Sequence, residues 1–214
     1  MLQAYGARRV VAISSTSRFT KYAGSNATDS TENALARQLE EGEEHFKGWA
    51  TEQGIEWVIL RPTLIYGLGQ DKNLSEIARF IRRFGFFPIF GEAKGLRQPI
   101  HVEDVATASI AAMNSKAAAG REYNISGGET LTYKEMVTRV FVAVNRRPRF
   151  IAIPLVAFKL GVGLMRVFPR YQHWSPTMAE RMNQNLVFAS VDAMRDFGFL
   201  PRPFQMYLSC MSND

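Results

Sequence analysis

An α/β fold with a parallel sheet is what this 214-residue sequence predicts. Three observations carry that expectation. Two short apolar runs rich in β-branched residues, Arg8 to Ile13 and Ile55 to Arg61, flank a segment with helical periodicity. A crossover of that length implies a parallel pair in a βαβ unit. Both runs then break at their C-terminal ends, one into Ser14-Ser15-Thr16-Ser17 and one into Arg61-Pro62. In open α/β sheets ligands bind beyond such strand ends, so these edges are the first place to look for a site.

In chain order, the first strand is followed by a polar, Gly/Ser/Asn-containing loop over 20–31. Thr31 or Asn33 can start a helix. Leu35, Leu39, Gly42, Phe46 and Ala50 recur at helical spacing, with Glu40, Glu41, Glu43 and Glu44 expected mostly off that apolar face. Gly54 is a natural C-terminal stop. After the strand at 55–61, Asn73 to Phe84 reads as a second amphipathic helix and Phe86 to Gly91 as a short strand or turn. Pro99-Ile100-His101-Val102 is strand-like and leads into a helix to Ala112. Glu103 and Asp104 in its first turn suit the helix dipole. Tyr123 to Ile125 is a strand closing on Gly127-Gly128, and Thr130 or Thr132 can cap a helix from Tyr133 to Val144. A Pro-containing linker, an apolar helix over 155–168, a helix around Ser175 to Met182 and a tail with Pro201 and Pro203 complete the reading.

Hydrophobic content of 46% with 21% charged residues is ordinary for a globular chain able to bury a core. One cysteine, Cys210, excludes an internal disulfide and a Cys-based zinc site, and fits a reducing, cytoplasmic setting. The start of the sequence lacks the pattern of a signal peptide. Net charge is +6, but the basic residues come as scattered pairs rather than a run, so no nucleic-acid partner is expected. The most apolar stretch, Phe150 to Phe168, is interrupted by Pro154, Lys159, Arg166 and two glycines. It reads as a core or interface helix, with peripheral membrane contact as the alternative. His101, alternating with apolar residues, reads as a hydrogen-bonded core histidine; His45 and His173 are not paired as metal ligands.

Five stretches, in order over about 120 residues, resemble the short-chain dehydrogenase/reductase superfamily, in particular its NAD(P)-dependent epimerase/dehydratase family. They are Val10–Thr16, Gly42-Glu43, Ile59–Gly67, Arg97–Ala106 and Tyr123–Glu129. The resemblance implies the C-terminal part of a Rossmann-like, doubly wound parallel sheet over residues 1–115, and a small, mostly helical substrate-binding region over 116–214. It implies NAD or NADP as cofactor, a nucleotide-sugar-like small-molecule substrate, hydride-transfer chemistry and a homodimer as the family's assembly. It puts Thr16 at the catalytic hydroxyl position, where the alternative is a strand-end cap. Ser14, Ser15, Arg61, Pro62 and Leu64 would line the cofactor. Asn73, Phe90 and Arg97 would hold the substrate's nucleotide diphosphate, where a guanidinium fork pairs phosphate oxygens.

Two departures from the family pattern stand out. The sequence holds no Gly-rich phosphate loop, so the phosphate-binding end of the site is expected outside these residues. The family's proton-transferring Tyr, and the Lys four residues after it, fall by count from Gly42-Glu43 on Leu35 and Leu39. Tyr22 and Lys21 in the preceding loop are the substitutes in reach. The resemblance therefore leaves three readings open: an NAD(P)-dependent oxidoreductase or isomerase, a non-catalytic nucleotide-binding or assembly protein of the same fold, and a shortened product with exposed strand edges.

Overall fold

The computed structural model describes residues 6–20, 30–69, 71, 73–154 and 181–206. Expectations for Tyr22, Lys21, His173 and the helices at 155–168 and around 175–182 lie wholly or largely outside those residues. The elements are β1 (Arg9–Ile13), α1 (Ser17–Thr20), α2 (Ser30–Glu52), β2 (Glu56–Pro62), β3 (Ile65–Tyr66), α3 (Leu74–Phe84), β4 (Phe87–Phe90), β5 (Leu96–Arg97), β6 (Ile100–His101), α4 (Val102–Asn114), β7 (Arg121–Ile125), β8 (Leu131–Thr132), α5 (Tyr133–Ala143), β9 (Phe150–Ile153) and α6 (Val191–Phe197). The chain forms two compact units, each built from several segments. One comprises Met1–Ile65, Pro99–Gly128 and Phe188–Phe204; the other comprises Tyr66–Gln98, Glu129–Val187 and Gln205–Asp214.

The first unit is built on a three-stranded sheet in the order β1-β2-β7. All pairings are parallel, with Ile13 opposite Leu60 and Pro62 opposite Ile125. Side chains alternate across the sheet, so each strand faces both ways. Val58, Leu60, Tyr123 and Ile125 face α4 and α6 and form the apolar core with Ile100, Val105, Ala108, Ala112, Ala193 and Phe199. The opposite face meets α2, and there the expected helix stripe is shifted. Ala36 and Ala50 are fully buried and Glu43 is 5% exposed, while Leu35 is 42% exposed. The buried line of α2 thus runs Ala36–Glu43–Ala50, seven residues apart, two turns of helix. The shift has a local cause: Arg61 of β2 points into the same layer, and its charge draws Glu43 inward.

α4 is capped by His101, whose Nδ1 accepts from the Glu103 amide at 3.3 Å. Asp104 lies in the first turn of α4. Its buried carboxylate accepts from the Arg202 amide at 3.0 Å and from Arg202 Nε at 2.8 Å, tying the C-terminal strap to α4. Tyr123, Ser126 and the glycine pair complete this end of the sheet. A Cβ on Gly127 would fall 1.8 Å from the Pro99 carbonyl oxygen, and one on Gly128 2.4 Å from that of Pro201. The strand therefore ends on residues without side chains because two other backbones pass against it.

The second unit, among its described residues, pairs α3 and α5 with short strands. β4 runs parallel to β9, Phe87 opposite Phe150 and Phe90 opposite Ile153; β5 is antiparallel to β8. The first residues of the apolar stretch at 150–168 are therefore a strand rather than helix, because an exposed edge of β4 accepts them as a partner. Phe80, Phe84, Phe86 and Phe87 form a cluster with ring centroids 4.6 to 6.3 Å apart, spacings that favour tilted and edge-on aromatic pairs. Thr132 and Glu135 form a reciprocal capping box at the start of α5. Gly85 ends α3 with φ 75, the left-handed conformation that a helix stop of this kind needs.

Candidate functional site

The ends of β1 and β2 lie side by side in the first unit and bring together Ser14, Ser15, Thr16, Arg61, Pro62 and Leu64. The ladder between the strands continues past their ends: the Ser14 amide donates to Leu60 O at 2.8 Å and the Thr16 amide to Pro62 O at 3.2 Å. The Pro62 carbonyl also accepts from Thr16 Oγ1 at 3.2 Å. Thr16 is buried, and its hydroxyl is bonded to the strand end. Ser15 Oγ accepts from the Ser17 amide at 3.1 Å at the start of α1. Leu64 is half-buried, and its carbonyl accepts from the Ile100 amide at 2.9 Å. The hydroxyl cluster thus acts as a rigid joint between strand and helix.

Behind this edge lies a buried ionic cluster that the sequence reading did not foresee. Arg61 donates to Glu43 through Nε at 2.9 Å and Nη2 at 2.5 Å, a bidentate pair, and also to Glu122. Ser14 Oγ donates to Glu43 at 2.5 Å, and Arg18 bonds both Glu43 and Glu40. Lys47 bonds Glu44 and Glu122. Burial by itself pushes the Glu43 carboxyl up, but the bonds from Arg61, Ser14 and Arg18 and the charge of Arg61 outweigh it and hold it down to about 2. Burial pulls Arg61 down, and its bonds to Glu43 and Glu122 reverse this, so its guanidinium stays firmly charged. In this arrangement the Arg61 guanidinium is turned into the layer between sheet and α2. What it contributes at the edge is the position of the strand. A signal for this existed in the sequence, an Arg ending an otherwise apolar strand and a Glu on the crossover helix, but only pairing the two would have revealed it.

Above the end of β1 a cavity of about 210 Å³ is lined by Ala12, Ile13, Ser14, Leu39, Gly42, Glu43 and Phe46, among others. Leu39 projects into it, one of the two positions where the resemblance expects the Tyr/Lys pair; Leu35 lies one turn earlier and is largely exposed. Neither side chain can accept or donate a proton. The lining is thus mixed, with Ala12, Ile13, Leu39 and Phe46 beside the bonded Ser14–Glu43 pair.

The three residues expected to hold substrate lie in the second unit. Arg97 is 6% exposed, and its guanidinium donates to the carbonyls of Leu96 at 2.8 Å, Gln184 at 2.7 Å and Arg181. It lies 5.4 Å from the Tyr133 ring centroid. Burial lowers its pKa to about 10, opposed by Tyr133 and reinforced by Arg181. Burial likewise raises Tyr133 to about 12. Phe90 is buried in β4, and its carbonyl accepts from Asn183 Nδ2 at 2.8 Å. Asn73 precedes α3 but makes no side-chain cap bond. Asp71 takes that role, accepting from the amides of Asn73, Leu74 and Ser75 at 3.1, 2.6 and 3.1 Å, and from Ser75 Oγ at 2.8 Å. The backbone donors at the start of α3 are thus already engaged by a carboxylate. Among the described residues no group of His, Cys, Asp and Glu is arranged to hold a metal ion.

Comparison with known proteins agrees with the parallel sheet. The "2-alkyl-3-oxoalkanoate reductase" of Stenotrophomonas maltophilia is 28% identical over 163 residues, 72% of this chain and 49% of that protein. The "NADH dehydrogenase [ubiquinone] 1 alpha subcomplex subunit 9, mitochondrial" of Arabidopsis thaliana is 29% identical over 100 residues, 46% of this chain and 25% of that protein. The chain thus spans between a quarter and about half of the length of these relatives. The crystal structure of the Thermus thermophilus UDP-glucose 4-epimerase complex with NAD superposes with a TM-score of 0.63 at 19% identity, covering 98% of this chain and 64% of that one. The resemblance in fold is therefore to a Rossmann-like α/β protein. The family model described as "NAD dependent epimerase/dehydratase family" matches residues 1–126, more than half of the sequence, and the chain belongs to that family.

Proposed function

We propose that this chain holds NAD or NADP at the ends of β1 and β2 without turning it over by acid–base chemistry, and serves as a nucleotide-binding component of a larger assembly. One observation carries this reading: α2 presents Leu35 and Leu39 where the family's chemistry needs a Tyr and a Lys. Proton transfer requires a titratable group within hydrogen-bond reach, and an aliphatic side chain supplies none. The neighbouring hydroxyls do not stand in for it, since Ser14 is committed to Glu43 and Thr16 to the Pro62 carbonyl. Ser14, Ser15, Pro62 and Leu64 are the groups that would touch the nicotinamide half, held in place from behind by the Arg61–Glu43 pair. That one relative is by name a subunit of a complex supports the assembly role. Titrating NADH and NADPH into the full-length protein while following nicotinamide fluorescence tests it. Saturable binding with no conversion of UDP-glucose or simple carbonyl compounds is expected. Turnover of either substrate class would sink the non-catalytic reading, and failure to bind both cofactors would remove its basis.

A second reading is favoured by Arg97. This is a buried cation whose observed partners are carbonyl oxygens and an aromatic ring rather than a carboxylate, and burial weakens its charged form. A diphosphate beside it would restore the lost solvation. On that reading the protein is an oxidoreductase or isomerase acting on a nucleotide-sugar-like substrate through hydride transfer to and from the same cofactor. UDP should then raise the melting temperature of the native protein but not of an Arg97→Met variant. No shift with UDP, UDP-glucose or other sugar nucleotides would count decisively against it.

A further inference from the structure

The charge of this protein is segregated. Segments 77–91 and 136–154 together hold seven arginines and no Asp or Glu, more than the whole excess of +6, so the remainder of the chain is slightly acidic. The fold concentrates these arginines. α3 turns at Gly85 into β4 and α5 turns through Asn145 to Arg149 into β9. Because β4 and β9 run parallel with Phe87 opposite Phe150, both helices must end at the same end of their unit. The Phe87 amide donates to the Arg149 carbonyl at 2.9 Å and fixes the two turns beside each other. Each helix carries an arginine pair at that end, Arg82-Arg83 and Arg146-Arg147, and Arg149 follows; all five are exposed.

The same end is apolar as well as cationic. Phe84, the last residue of α3, is 52% exposed, with the Arg83 guanidinium 5.3 Å from its ring centroid. Phe86 is half-buried behind it, and Val142 in the last turn of α5 is 64% exposed. Arg139, outside this end, pairs with Glu129, whereas the two turns themselves carry no carboxylate between Arg82 and Gly91 or between Arg146 and Pro154. A nucleic-acid face would gain from the arginines and the ring but nothing from an exposed valine. Arginines around exposed aromatic and aliphatic side chains are what an anionic lipid headgroup layer rewards: the guanidinium groups meet phosphate and carboxylate groups while the apolar side chains enter the acyl boundary.

We propose that the end of this unit formed by the C-termini of α3 and α5 and the starts of β4 and β9 docks on an anionic phospholipid surface, with Phe84 entering the interface and Arg83, Arg146, Arg147 and Arg149 contacting headgroups. Co-sedimentation of the full chain with vesicles of phosphatidylcholine, with and without phosphatidylserine, tests this. Binding is expected to require phosphatidylserine and to weaken steeply with added salt. Neutralising three patch arginines (Arg83→Gln, Arg147→Gln, Arg149→Gln) should weaken it about 100-fold, at about fivefold per arginine. Phe84→Ser should weaken it about fivefold, from the lost burial of about half a phenylalanine. A control that removes the same charge from the first unit (Arg8→Gln, Arg37→Gln, Lys116→Gln) should bind within about threefold of the native chain, since none of these residues belongs to the proposed surface. All replaced residues are exposed, and thermal melts verify that each variant folds. Equal loss in patch and control variants, undiminished binding by the patch variants, or equal binding to both vesicle types would overturn the proposal. So would retention on duplex DNA or RNA with no vesicle binding.

Discussion

Replacing Glu43 by Gln removes the charge around which the ends of β1, β2 and α2 are fixed. Glu43 is 5% exposed, and its pKa is held at about 2 against an ordinary 4.5. Each unit of such a displacement is about 1.4 kcal/mol between folded and unfolded states, so the ionised carboxylate contributes on the order of 3 kcal/mol near neutral pH. Removing one partner of a buried pair costs about 3–5 kcal/mol, because the other charge is left uncompensated. Glu122 still reaches Arg61, and the Gln oxygen still accepts one bond, so the loss should fall at the low end, about 3 kcal/mol. The sign with pH follows from the depressed folded value. The contribution is fully present above the unfolded pKa near 4.5 and is lost as pH falls from there through about 2. Urea unfolding of the native protein and the Glu43→Gln variant between pH 7 and pH 2 measures both effects. The variant should be less stable by about 3 kcal/mol at pH 7, and the gap should close as pH falls toward 2. An Arg61→Met variant completes a double-mutant cycle and should show strong coupling to Glu43. A Gln variant within about 0.5 kcal/mol of native at pH 7, or a gap that does not change with pH, would refute the reasoning.

Three further outcomes are expected. Gly127→Ala drives a methyl group into the Pro99 carbonyl and should destabilise the protein by about 3 kcal/mol or more in denaturant unfolding, whereas Gly120→Ala, with open space around the added carbon, should cost only the strain of its positive φ, about 1–2 kcal/mol. Asp71→Ala should cost about 1–2 kcal/mol and Asn73→Ala less than about 0.5, since Asp71 and not Asn73 accepts from the amides at the start of α3; equal effects in thermal melts would contradict that assignment. Introducing Leu35→Tyr together with Leu39→Lys should tighten NADH binding in fluorescence titrations, with the Lys reaching toward the cofactor from the wall of the cavity that Leu39 now lines. Unchanged affinity in a folded double variant would mean that the cofactor does not approach this wall.

Much of the local structure was legible in the residues. The strands at Arg9–Ile13 and Glu56–Pro62, the helices at Leu74–Phe84 and Tyr133–Ala143 and the closing strand at Arg121–Ile125 follow from periodicity, caps and glycine stops, which act within a few residues of chain. The short strands β5, β8 and β9 were not legible. Two to four residues carry no period, and each exists because a distant segment offers a free edge, as Leu131-Thr132 does for Leu96-Arg97. α6 was missed for the same reason: seven residues are too few to hold a helix without Ala193 buried against the core.

For the candidate site, the sequence by itself determined the strand-end edge and the two leucines of α2. Ser14-Ser15-Thr16 and Arg61-Pro62 stand at the ends of adjacent strands because the βαβ unit forces them there, and Leu35 and Leu39 cannot carry protons in any fold. Only the tertiary structure decided where the polar groups spend their bonds. Arg61 could have turned to a cofactor or into the layer beneath α2. It turned inward because Glu43, one sheet layer away but 18 residues earlier in the chain, compensates its charge at bidentate distance. Such a choice is invisible to local patterning, since the energy of a buried charge depends on what is within a few ångströms in space and not on what is near it in sequence.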